Sequence, residues 1–214
     1  MEINQQNITL QYITDGSTAE ATHRQVMAAL DGGCRWIQIR MKSAQPDEIC
    51  AAMKLCVDEC HRRGAVLIIN DHAELVGVSG ADGVHIGQND MPVEEARRLV
   101  GRDKIIGLTV NNELHARNAA GKPIDYIGLG PWRFTTTKRN LSAVLGREGV
   151  AQLIARVRAS GITVPIVTIG GITVSDVAEA LSVADGIAVS GAISHAADPA
   201  QATRQFVETI NALK

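Results

Sequence analysis

Aromatic side chains are scarce: the 214 residues contain two each of tryptophan, tyrosine and phenylalanine. Proteins that grip single-stranded nucleic acid stack bases on aromatic faces, so this class is excluded. The same scarcity predicts a core of aliphatic and small side chains. A charge excess of either sign is also missing, since 21 Lys and Arg stand against 23 Asp and Glu, a formal net charge of −2. That balance argues against nucleic acid or an anionic membrane as the main partner. No run approaches the roughly 18 apolar residues of a membrane span. The first nine residues are polar and carry Glu2, with no basic region leading into an apolar run. The expectation is therefore no secretory leader and a cytoplasmic location. The four cysteines, Cys34, Cys50, Cys56 and Cys60, form no Cys-x-x-Cys pair. They read as reduced thiols on a core face and not as a zinc site. A glycine-rich dinucleotide turn is missing too. Its nearest candidate, Gly128-Leu129-Gly130-Pro131, is spoiled by the proline. No internal repeat, low-complexity stretch or linker stands out.

What is present is a regular alternation. Apolar residues make up 45% of the chain, too many for disorder, and the length suits one domain or a small pair. Eight strand candidates occupy 8–14, 35–40, 66–70, 83–86, 104–110, 125–129, 164–169 and 186–190. Helical stretches follow at 19–30, 46–63, 73–79, 93–100, 113–120, 147–160, 174–182 and 199–213. Pro46 and Pro92 suit helix starts, and Gly64 and Gly101 suit helix stops. Most strands are apolar on both faces, as in Val66-Leu67-Ile68-Ile69, which is how parallel strands covered by helices read. Eight strand–helix units predict a single-domain (β/α)8 barrel over residues 1–214, of the α/β class; the alternative is a doubly wound open sheet.

Such a barrel keeps its chemistry at the C-terminal ends of its strands. In the second strand, alternation places Gln38, Arg40 and Lys42 on one side and Ile37, Ile39 and Met41 on the other. Unpaired buried charge is costly, so two cations and an amide on one ledge point to an anionic ligand. Asp71 and Asp90 are expected on adjacent strand tips. Two carboxylates beside a cationic ledge suit Mg2+, which is commonly held by one or two carboxylates plus substrate phosphates; otherwise each would cap the helix after it. Alternation points His85 into the barrel. The other histidines, His115 among them, carry no motif. The fifth strand ends at Thr109. A long connection after the sixth carries Trp132, Phe134, Thr135, Thr136, Thr137 and Lys138, with hydroxyls beside a lysine as a phosphate cradle would have them. The two aromatics read as substrate cover. Gly170-Gly171 ends strand seven and Ser190-Gly191 ends strand eight, the usual phosphate site of this barrel.

Together these segments resemble the thiamine phosphate synthase family almost end to end. The resemblance is carried by Gln38-x-Arg40-x-Lys42, Asn70-Asp71, Ala81 to Asp90, Gly128 to Pro131, Thr135-x-Thr137-Lys138 and Ile169-Gly170-Gly171-Ile172. It implies an Mg2+-dependent transferase with two small-molecule substrates. A hydroxymethylpyrimidine diphosphate gives up pyrophosphate, the ring nitrogen of a thiazole phosphate bonds to the exposed methylene, and thiamine phosphate forms. It implies that Gln38, Arg40, Lys42, Asn70, Thr109 and Lys138 hold the pyrimidine diphosphate, with Ile39, Met41 and His85 counted beside them. Asp71 and Asp90 would hold the metal, and Thr135, Thr136, Thr137, Gly171, Ser190 and Gly191 the thiazole phosphate. Arg40, Lys42 and Lys138 would carry catalysis by neutralising charge. A homodimer is a further implication. Three positions depart from the family pattern: Gln11 beside Tyr12 where many members have tyrosine, Phe134 where proline is common, and Ser190 before Gly191 in reversed order. A paralogous thiazole tautomerase would need no metal or diphosphate site, and a non-catalytic phosphometabolite-binding barrel would not need this polar set intact.

Overall fold

The computed structural model describes residues 8–134 and 144–214. Eight parallel strands close into a barrel in chain order: β1 (Leu10–Ile13), β2 (Trp36–Ile39), β3 (Val66–Asn70), β4 (Gly83–Ile86), β5 (Ile105–Val110), β6 (Tyr126–Leu129), β7 (Ile166–Ile169) and β8 (Gly186–Val189). The ring closes where β8 pairs with β1, Gln11 opposite Ala188. The open-sheet alternative is thereby excluded.

The helices form the outer layer: α1 (Ala19–Asp31), α2 (Pro46–Arg62), α3 (Val76–Ser79), α4 (Val93–Val100), α5 (Glu113–Ala119), α6 (Gly146–Ala159), α7 (Val177–Leu181), α8 (Gly191–Ser194) and α9 (Pro199–Asn211). Local chemistry sets their ends. Thr18, Asn112 and Asp198 side chains accept backbone N–H bonds at the starts of α1, α5 and α9. Pro46 and Pro199 occupy first-turn positions. Gly101 closes α4 at φ 84°. The stretches at 73–79 and 174–182 each begin with a 3-10 turn, Ala73–Leu75 and Val174–Asp176. The short α8 was not legible in the sequence.

Two apolar layers follow from the strand alternation. The outer one packs Ile37, Ile39, Leu67, Ile69, Val84, Ile106 and Ile127 against Val26, Met53, Val150 and Phe206 of the helices. Cys34, Cys56 and Cys60 are buried in it, while Cys50 is only partly covered, and all four are free thiols. Burial pushes the Cys34 thiol up to about 11 and those of Cys56 and Cys60 up to about 12.

The inner layer corrects the aliphatic expectation. It contains Ile8, Ile13, Val66, Ile68, Ile105, Val167 and Ala188, but also Trp36 and Tyr126. Those two rings meet edge to face at 4.7 Å in the barrel interior. Trp132 is another correction. It is 2% exposed, belongs to the outer core and does not line the central cavity. Phe134 is 72% exposed and does not line the central cavity. Among the described residues, no helix is long and apolar enough to cross a membrane.

Candidate active site

A cavity of about 660 Å3 opens at the C-terminal mouth of the barrel. Its walls are the inward-facing ends of the strands, as alternation predicts. Gln38, Arg40 and Lys42 of the β2 end line it together, with Asn70, Asp71, His85, Asp90 and Thr109 beside them. Across the cavity stand Gly171, Ser190 and Gly191. Ile39 and Met41 do not join these walls: both are buried in the outer core, at 1% and 5% exposure, because their positions alternate with the inward ones. Thr135, Thr136, Thr137 and Lys138 lie outside the described residues.

On the β2–β4 side, the Gln38 amide donates to Asn70 Oδ1 at 2.7 Å. Its own Oε1 is buried with no partner among the described residues, an acceptor that a ligand N–H would satisfy. Asp71 sits in the left-handed region at φ 67°, which turns the chain at the β3 tip. Burial, then the facing Asp90 carboxyl, pushes the Asp71 carboxyl up to about 6, with Arg40 and His72 partly offsetting them. Asp90 is fixed by accepting from the Gly87 N–H at 2.6 Å. Two neighbouring carboxylates are a donor set that could hold a hard divalent cation, which prefers oxygen donors. Among the described residues no third His, Cys, Asp or Glu completes a cage, so further oxygens would come from water or a bound phosphate.

Among the described residues, the β7–β8 side of the cavity is uncharged. Gly170 and Gly171 both take positive φ, 112° and 65°. A Cβ on Gly171 would stand 2.9 Å from the Phe134 carbonyl oxygen, so glycine is required there for shape as well as conformation. Ser190 Oγ is buried and has no partner among the described residues. The Arg133 guanidinium pairs with the buried Asp176 and ties the chain after β6 to the turn after β7.

The cavity floor holds a chain of hydrogen bonds that the sequence did not disclose. Gln11 Nε2 donates to Tyr126 Oη at 3.2 Å, Tyr126 Oη meets His85 Nδ1 at 2.8 Å, and His85 Nε2 meets Thr109 Oγ1 at 2.9 Å. Burial raises the Tyr126 phenol far above its ordinary value, so it stays protonated. Room for the ring comes from Gly107, where any Cβ would overlap Tyr126 and lie 2.5 Å from His85 Nδ1. Tyr12, next to Gln11, points outward and bonds Ser194 Oγ at 2.8 Å. His115 and Asn111 also line the mouth, although neither belonged to a motif. The signal for His115 lay only in its place one turn into the helix after β5.

The sequence profile described as thiamine monophosphate synthase (TMP-TENI) matches residues 10–193. A thiamine-phosphate synthase of Bacteroides fragilis is 43% identical over 203 residues, covering 94% of this chain and 98% of that protein. One of Flavobacterium johnsoniae is 40% identical over 205 residues, covering 95% of this chain and 96% of that one. Among solved structures, a thiamine phosphate pyrophosphorylase from Pyrococcus furiosus superposes with a TM-score of 0.83 at 30% identity, covering 98% of this chain and 99% of that one. With the barrel closed and the motif residues gathered at one mouth, the chain belongs to the thiamine monophosphate synthase family.

Proposed function

We propose that the protein is a transferase that joins a hydroxymethylpyrimidine diphosphate to a thiazole phosphate, releasing pyrophosphate and thiamine phosphate. A carboxylated thiazole phosphate would lose CO2 in the same turnover, its ring carbon keeping the electron pair and taking up a proton from water. The observation that carries this reading is one cavity with two unlike anion-suited walls: Arg40, Lys42, Asp71 and Asp90 on one side, Gly171, Ser190 and Gly191 on the other. The first wall suits a diphosphate brought in with a cation. The second suits a phosphate held by neutral donors.

Mg2+, held by Asp71 and Asp90, would supply charge neutralisation to the leaving diphosphate. The chain's own residues do the rest. Arg40 and Lys42 stabilise the negative charge that grows as the methylene–oxygen bond breaks and its electron pair departs with pyrophosphate. The unpartnered Gln38 Oε1 accepts from the amino group of the pyrimidine and fixes the ring. The electron-rich ring stabilises a cation at its methylene, so a dissociative path is open. The thiazole nitrogen then forms the new bond with its own lone pair, and no protein nucleophile or general base is required. Positioning the two substrates in one cavity supplies the remaining advantage. By resemblance, Lys138 joins the diphosphate cations, and Thr135, Thr136 and Thr137 join the thiazole phosphate wall.

Replacing Asp71 with alanine tests the division of the cavity. Mg2+-dependent pyrophosphate release is expected to fall by at least about 100-fold, while calorimetric binding of the thiazole phosphate changes less than about twofold. Equal loss of both would contradict the division.

A further inference from the structure

We propose that Gln11 and Tyr126 are positioning residues that set the tautomer of His85 and thereby hold the Thr109 hydroxyl as a hydrogen-bond donor toward the diphosphate. The proposal rests on the function proposed above for its substrate and on the cavity floor for its geometry. Four residues from four strands form one line: Gln11 on β1, Tyr126 on β6, His85 on β4 and Thr109 on β5. Gln11 and Tyr126 are sealed from solvent, at 1% and 0% exposure. Gln11, His85 and Thr109 border the cavity, and Tyr126 lies behind them.

Donor and acceptor roles propagate along such a line. Gln11 presents its amide N–H to the Tyr126 oxygen. The phenol, accepting there, turns its own proton to His85 Nδ1. A neutral imidazole has one donor and one acceptor, so an accepting Nδ1 leaves the proton on Nε2. Nε2–H then donates to Thr109 Oγ1, and the Thr109 proton is left to point into the cavity. An anionic diphosphate oxygen needs a donor there. A line running the other way would leave Thr109 offering only lone pairs, which repel that oxygen. An amide anchors the line, and an amide end can be reversed by one substitution.

The experiment uses Gln11→Glu. A carboxylate at that end only accepts, so the Tyr126 proton turns toward it, His85 must carry its proton on Nδ1, and Nε2 takes the Thr109 proton. The first readout is the imidazole 15N pattern of His85 in long-range 1H–15N correlation spectra. These are recorded without substrate at about pH 8, above the ordinary histidine pKa of about 6.5. Nε2–H is expected in the unaltered protein and Nδ1–H in Gln11→Glu. The second readout is calorimetric binding of inorganic pyrophosphate with Mg2+, expected to weaken by roughly 10–100-fold in the variant, the range for a lost hydrogen bond to a charged group. Binding of the thiazole phosphate should hold within about twofold.

If Gln11→Glu does not fold, Tyr126→Phe serves. It removes the proton donor to Nδ1, and a population of Nδ1–H should appear. A wild-type Nδ1–H tautomer would overturn the proposal. So would a Tyr126→Phe spectrum identical to wild type, or a reversed tautomer with unchanged pyrophosphate binding. Neither readout requires turnover, so absence of synthase activity would sink the proposed function and leave this test standing.

Discussion

Gly107 is the residue on which the cavity floor depends most directly. Any side chain there would enter the space of the Tyr126 ring and crowd His85 Nδ1. Gly107→Ala is expected to destabilise the protein by about 1–3 kcal/mol, as overpacking of a tight interior does. It should also weaken diphosphate binding, because the His85–Thr109 contact moves with the ring. Chemical denaturation and pyrophosphate titration check the two effects, and an unchanged unfolding midpoint would contradict the packing account. Much at this scale was legible in the sequence. Alternation along β2 placed Gln38, Arg40 and Lys42 on one wall because side-chain direction in a strand has period two. The line Gln11–Tyr126–His85–Thr109 was not legible, since its members come from strands that only barrel closure brings together. Trp132 misled because proximity to a binding loop in sequence says nothing about which way a large ring turns. Its apolar surface is buried in the outer core instead.

At the scale of elements, the feet of the strands share a device that the sequence hides. Asp82, Asp125 and Asp185 precede β4, β6 and β8. Each carboxylate accepts from a backbone N–H at the foot of the preceding strand: Leu67 at 2.8 Å, Ile106 at 2.7 Å and Ile166 at 2.8 Å. Each also meets a basic side chain from a helix, His61, Arg97 and Arg158 respectively. Arg97 further donates to the carbonyls of Gly101, Lys104 and Pro123, so it clamps the loops on both sides of β5. The spacing of the three aspartates is uneven and their partners lie far away in sequence, so no repeat stands out. Conserved chemistry at the bottom of such a barrel serves stability, whereas the top serves reaction. Asp125→Ala is therefore expected to lower stability by about 2–3 kcal/mol, the cost of stripping a partly buried cation and an N–H of their acceptor. For a chain of this size that is a fall in Tm of roughly 4–12 °C. The kcat at 25 °C should be unchanged. A double replacement of Arg97 and Asp125 should cost less than the sum of the two single ones, as for residues in one network. Strict additivity would show that they act apart.

For the whole molecule, the sequence disclosed eight units and hence closure. The reason is that each parallel strand must be apolar on both faces and followed by a covering helix. Closure then gathers the strand tips, and the tips decide the chemistry. Asp71 and Asp90 face each other because β3 and β4 are neighbours, and burial together with the Asp90 carboxyl raises the Asp71 carboxyl above its ordinary value. Ser190 and Gly171 face them across the same cavity because β7 and β8 lie on the far side of the ring. A single barrel mouth thus offers one wall of mixed charge, with Arg40, Lys42, Asp71 and Asp90, and, among the described residues, one uncharged wall at Gly171, Ser190 and Gly191. The central claim is that both are used in one turnover. The most direct measurement is 31P spectroscopy of the full-length protein incubated with the pyrimidine diphosphate, the thiazole phosphate and Mg2+. Pyrophosphate and thiamine phosphate are predicted to appear in equal amounts, and both should stop on addition of EDTA. Binding of the thiazole phosphate with no pyrophosphate released, or its isomerisation alone, would contradict the account.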